Sequence, residues 1–133
     1  MDMEITFAGG KKVNAGFKGH IHKTDQPIAS GGENSAPSPY ELFLASIGTC
    51  AGIYVKSFCD QRNLPTENIK LIQSLEYSAE TKLPSKISIE IQLPVDFPEK
   101  YKQALINAAE LCAVKRTIAN PPVFEIKTVI ADK

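Results

Sequence analysis

The sequence predicts an α+β domain in which two helices lie on largely antiparallel sheets. A run from Ser38 to Asn63 carries helix-start signals and a long apolar stretch. Short alternating or β-branched segments flank it on both sides, and a second helical pattern at about 98–112 precedes a last alternating segment. The order is strands, helix, strands, helix, strand, and 133 residues suit one domain covering 1–133.

Taken in order, residues 3–9 (MEITFAG) are rich in strand formers and meet Gly9-Gly10-Lys11, a hairpin signal, before Val13–Phe17 opens a second strand. A third short strand is expected over His20–Lys23. The stretch TDQPIASGGENSAPSP that follows is dense in Gly, Pro, Ser and Asn and reads as a long loop, functional or mobile. Ser38 is a good N-cap, Pro39 suits the first helical position, and Glu41 three residues later completes a capping box, so a helix is expected over about 39–63. From Leu42 to Val55 only Ser46, Gly48, Thr49 and Gly52 interrupt the apolar residues, which predicts a helix buried all round. That run, about 14 residues against the roughly 20 needed, is too short to span a bilayer. A chain of this size can hardly surround such a helix alone, which points to a dimer. Leu64-Pro65 ends the helix. Ile69–Ala79 and Ile87–Leu93 form an expected hairpin around Leu83-Pro84-Ser85, the second strand having one wet face. Pro98-Glu99 opens the second helix, which delivers Cys112 at its end; AVKRTIANPP is an irregular or helical turn, and Val123–Ile130 an expected final strand.

Composition excludes several function classes. Fifteen basic and fifteen acidic residues balance, without a basic cluster among exposed aromatics, so neither nucleic acid nor a membrane is an expected partner. A neutral small molecule is favoured. MDMEITFAGG is no secretory signal, and the expected location is cytoplasmic. No CxxC occurs and His20/His22 have no ligand companions at metal spacing, so no metal is expected. The Gly9-Gly10 and Gly31-Gly32 pairs lack phosphate-loop context and no GxSxG occurs; no cofactor is expected.

Three cysteines, an odd count, suggest reduced thiols. Cys50 and Cys59 lie nine residues apart on one helix, about 13 Å along its axis and about half a turn out of phase, and cannot pair without unwinding it. Cys59 reads as structural. Cys50 and Cys112 lie on different helices and nothing local forbids their meeting, in which case thiolate attack, a sulfenic acid and a disulfide become available. The other reading, three small buried hydrophobes, stays open.

The strings APSPYELFLASIGTC (36–50) and LCAVKRTIANPPVF (111–124) resemble the central-helix signature and the second cysteine motif of the OsmC/Ohr superfamily of thiol-dependent hydroperoxide reductases. Both occur in the expected order, and the resemblance runs from about Phe17 onward. It implies an OsmC-like fold in an intertwined homodimer with central helices back to back. It also implies a role in oxidative stress as a thiol peroxidase: Cys50 the peroxidatic thiolate, Cys112 the resolving cysteine, a small organic hydroperoxide as substrate and an external dithiol as reductant. In the peroxidase branches an arginine ahead of the central helix pairs with the thiolate and with a glutamate equivalent to Glu41. Residues 1–61 hold no arginine here, Ala113 stands where proline is usual, and Lys115 where histidine is common. The PSPYEL opening resembles the OsmC-like branch, so a non-peroxidatic protein that binds a small apolar or electrophilic ligand, or senses oxidants, is the alternative.

The missing arginine has a physical consequence. A thiol of pKa near 8.5 is only about 3% ionised at neutral pH, and lowering that pKa by about 2.5 units needs about 3.4 kcal/mol of thiolate stabilisation. Lys18, His20, His22, Lys23 and Arg116 are the candidate cations. The candidate site is therefore Cys50, Cys112, Glu41 and Arg116, with Ser46 and Thr49 nearby in the helix.

Overall fold

The computed structural model describes residues 1–131 and divides into two compact units, Met1–Ser46 and Ile47 onward. In the first unit β1 (Glu4–Phe7), β2 (Val13–Phe17) and β3 (His20–Thr24) form an antiparallel sheet in that order. The β2–β3 turn passes through Lys18 and Gly19 at φ 50° and 79°, the two-residue left-handed geometry that matches strand twist. Pairing aligns Ile5, Ala15 and His22 in one row, so the two histidines share the sheet's apolar face, with rings 6.4 Å apart.

The long loop that follows is built around a buried carboxylate. Asp25, 1% exposed, accepts hydrogen bonds from the amides of Gln26 (2.8 Å), Glu33 (3.3 Å) and Ser35 (3.0 Å) and from the Ser35 hydroxyl (2.6 Å). Gly32 sits so close to the Gln26 carbonyl that a Cβ would collide with backbone. The Ser35 hydroxyl and these amides pull the Asp25 carboxyl down from 3.8 to about 2.

The helix α1 (Pro39–Gln61) starts with the expected capping box: Ser38 N–H donates to Glu41 Oε1 (3.1 Å), and Glu41 N–H donates to Ser38 Oγ (3.2 Å). It ends two residues earlier than expected because Asn63, at φ 54°, turns the chain left-handed. The Asn63 amide then bonds Asp60 O and the Leu64 amide bonds Cys59 O, a Schellman closure. At 23 residues α1 is long and apolar enough to cross a bilayer by length and composition, contrary to the expectation from its shorter uninterrupted run. Within one chain its burial is one-sided. Ile47, Ala51, Val55, Phe58 and Cys59 form the buried stripe, whereas Tyr40, Phe43 and Ile53 are 42–56% exposed.

In the second unit β4 (Lys70–Tyr77) and β5 (Pro84–Gln92) pair antiparallel, with Leu71 opposite Ile91, Gln73 opposite Ile89 and Leu75 opposite Ile87. The turn lies at 78–83, with Lys82 at φ 62°, one step before its expected place, so Pro84 opens the strand where a missing amide is tolerated. The core gathers Val55, Phe58, Cys59, Phe97 and Leu105. Tyr101 meets Phe58 edge-on at 6.0 Å, and the Arg62 guanidinium stacks 3.7 Å over the same ring.

Two elements differ from expectation. The second helix begins as a 3-10 turn (Glu99–Tyr101), continues as α2 (Lys102–Glu110) and breaks at Leu111; the expected irregular or helical turn is a separate helix, α3 (Ala113–Ala119), which makes three α-helices among the described residues instead of two. The expected strand over Val123–Ile130 is not formed. Residues 121–131 carry no regular structure, and Val123, Phe124, Ile126, Val129 and Ile130 are 77–97% exposed. Alternation makes the segment strand-competent, but a strand exists only when an edge receives it, and among the described residues β5 pairs with β4 alone.

Because Asp25 titrates lower folded than unfolded, its stabilisation is present above about pH 4 and is lost as pH falls toward 2. Asp25→Ala is expected to lower the melting temperature at pH 7 and to flatten the acid limb of a stability–pH curve over that window, read by thermal denaturation.

Candidate active site

Cys112 is placed by the break between two helices. The Leu111 amide closes onto Ala108 O (3.1 Å), ending α2, and Cys112 takes an extended conformation (φ −57°, ψ 138°) as N-cap of α3. Its Sγ accepts the Lys115 amide at 3.2 Å and its carbonyl accepts the Arg116 amide at 3.0 Å. It is 2% exposed.

Cys50 reaches this turn from α1. Around its sulfur lie the Val114 amide, the Cys112 thiol and the Ala113 amide. The Val114 amide does most to lower its pKa below the ordinary thiol value; burial opposes this, and the Cys112 thiol, the Ala113 amide and the Arg116 charge add to the lowering. All three cysteines are free. Cys59 is the counter-example: it is 0% exposed in the core, and burial, then the Asp60 charge, push its thiol up.

The structure thus brings Cys50, Cys112 and Arg116 together. Among the described residues Arg116 is the cation acting on Cys50; its Nε donates to Leu111 O at 2.9 Å. Lys18, His20, His22 and Lys23 belong to the β2–β3 hairpin of the other unit. Glu41 is engaged by the Ser38 amide, which lowers its pKa, and serves as capping acid. Ser46 donates back to Phe43 O (2.6 Å), a helix-interior bond. Sequence reasoning missed the amides of Ala113 and Val114, which carry no side-chain signature. The one available sign was Ala113 itself, since a proline there has no N–H to donate.

A cavity of about 930 Å³ lies against Cys112, walled mainly by Ile47, Ile87, Ile89, Ile91 and Leu105. Its size and apolar lining suit a small organic ligand. No metal-binding group of His, Cys, Asp and Glu occurs among the described residues.

A sequence model of the OsmC-like protein family matches residues 32–127. No curated protein matches the chain. Among solved structures, an OsmC-like protein from Mycoplasma pneumoniae superposes with a TM-score of 0.69 at 10% identity, covering 90% of this chain and 87% of that one. The organic hydroperoxide resistance protein OsmC from Legionella pneumophila gives 0.53 at 19% identity, with 89% of each chain covered. The organic hydroperoxide resistance protein OhrB of Bacillus subtilis gives 0.52 at 23% identity, covering 90% and 93%. At these identities the shared property is the fold.

Proline is tolerated at the first position of a helix, so Ala113→Pro removes one donor to Cys50 with little cost to α3. The variant is expected to raise the pH midpoint of Cys50 alkylation, followed by mass spectrometry. In both proteins Cys59 should label last.

Proposed function

Because the chain belongs to the OsmC-like proteins, we propose that it reduces small organic hydroperoxides with Cys50 as the attacking thiolate and Cys112 as the resolving thiol. The observation that carries this reading is the placement of the Cys112 thiol beside the Cys50 sulfur, at a turn whose amides favour the Cys50 thiolate. The family, and the named hydroperoxide resistance proteins of the same fold, point to a redox role.

The steps balance as follows. The Cys50 thiolate attacks the terminal peroxide oxygen; the O–O bond breaks, the alkoxide leaves and takes a proton to become an alcohol, and Cys50 becomes a sulfenic acid. The Cys112 sulfur displaces hydroxide from that sulfenic acid, forming the Cys50–Cys112 disulfide and, with the thiol proton, water. An external dithiol then exchanges with this disulfide, restoring both thiols and becoming oxidised itself. Arg116 and the Ala113 and Val114 amides hold the negative charge before attack, and the cavity beside Cys112 takes the carbon chain. Glu41 supports the site from a distance by starting the helix that carries Cys50.

The assembly in this reading is a cytoplasmic homodimer. The exposed Tyr40, Phe43 and Ile53 on α1 and the unpaired, apolar 123–130 segment are surfaces that a second copy would cover. OsmC-like proteins are soluble, which fits α1 as a core helix shared between two chains. The second reading, a protein that binds an apolar or electrophilic ligand without turnover, is favoured by one observation, the large cavity touching Cys112.

With cumene hydroperoxide and dithiothreitol, Cys50→Ser is expected to bring peroxide consumption down to the uncatalysed rate. With the reductant withheld, Cys112→Ser should consume about one equivalent and leave a trappable Cys50 sulfenic acid in place of the disulfide. Consumption unchanged in Cys50→Ser would contradict the proposal, and wild-type protein no faster than background would favour the ligand-binding reading.

A further inference from the structure

The contact between the two cysteines repeats one turn further along. Tyr54 follows Cys50 by four residues on α1, and Arg116 follows Cys112, the N-cap of α3, by four. Positions four apart share a helix face, so two elements that touch through their cysteines also touch through this second pair. The Arg116 Nη2 donates to the Tyr54 hydroxyl at 3.5 Å, while Nε of the same guanidinium donates to Leu111 O at 2.9 Å.

We propose that Tyr54 is a positioning residue: its hydroxyl, with the Leu111 carbonyl, fixes the Arg116 guanidinium beside the Cys50–Cys112 pair. This deepens the reading of Cys50 as the reacting thiol and rests on it. A guanidinium on an exposed, flexible stem spends much of its time away from any one partner unless it is anchored. Leu111 O anchors its inner nitrogen, and Tyr54 selects the rotamer that keeps the outer nitrogens toward α1. The phenol touches neither sulfur, so its effect on the thiol runs through Arg116. The titratable and charged groups facing Cys50 are then the Cys112 thiol and Arg116, with Tyr54 beyond the latter.

Tyr54→Phe keeps the ring and removes only the hydroxyl. The readout is the rate of Cys50 alkylation by iodoacetamide against pH, with the melting temperature measured in parallel. The midpoint is expected to rise by about 0.3–0.5 unit, equivalent to labelling about 2–3-fold slower at pH 7. Arg116→Gln should shift it further, and adding Tyr54→Phe to Arg116→Gln should shift it no more, since the two residues act as one unit. A Tyr54→Phe profile that overlays the wild type, or shifts that add in the double variant, would overturn the proposal. Alkylation needs no peroxide turnover, so an inactive protein with the expected shifts would sink the peroxidase reading and leave Tyr54 in its role.

Discussion

The structure depends on one local arrangement, the meeting of the Cys50 sulfur with the backbone that follows Cys112. A thiolate inside a protein loses hydration, and something must replace the water. Peptide N–H groups do this at low cost, because the fold has already fixed their direction. Here the chain leaves α2, extends at Cys112 and re-enters a helix at once. That leaves the amides of Ala113 and Val114 without partners in their own helix and free to meet Cys50. The Lys115 amide, which belongs to the same turn, is taken by Cys112 itself. One short helix start therefore serves both sulfurs.

Other features hold this meeting in place. The buried stripe of α1 packs in a core with Phe97 and Leu105, which fixes the helix rotation that points Cys50 toward α3. Gly48 admits the Gln73 side chain, whose Oε1 would lie 2.6 Å from any Cβ at that position, close against the turn preceding Cys50. Cys59 shows what α1 does to a thiol that meets no such amides: burial, with the Asp60 charge, makes it a poorer nucleophile. Two cysteines on one helix thus have opposite electrostatic surroundings, and position, not residue type, makes the difference.

Much of this was legible in the sequence. The capping box at Ser38 and Glu41, the β2 boundaries, the alternation of Ile87, Ile89 and Ile91 and the family motifs all rest on local rules that the structure obeys. Three things were not legible. The all-apolar run of α1 predicts burial without saying who buries it, and one chain covers one stripe. Val123–Ile130 alternates like a strand, but pairing is a non-local event that needs an edge to receive it. The group that does most to lower the Cys50 pKa is a backbone amide, so a search for a replacement arginine among side chains could find Arg116 and not the amides beside it. The departure at Ala113 was visible as a mismatch; its chemical meaning required the geometry.

The central claim is that Cys50 and Cys112 form one redox pair. The most direct test is peptide mapping of fully reduced protein after one equivalent of organic hydroperoxide, without added reductant. The account predicts a single product in which the Cys50 and Cys112 peptides are joined and both thiol hydrogens are lost, with Cys59 still free. Oxidation that stops at a Cys50 sulfenic acid, or that joins Cys50 to any other cysteine while Cys112 stays reduced, would contradict it.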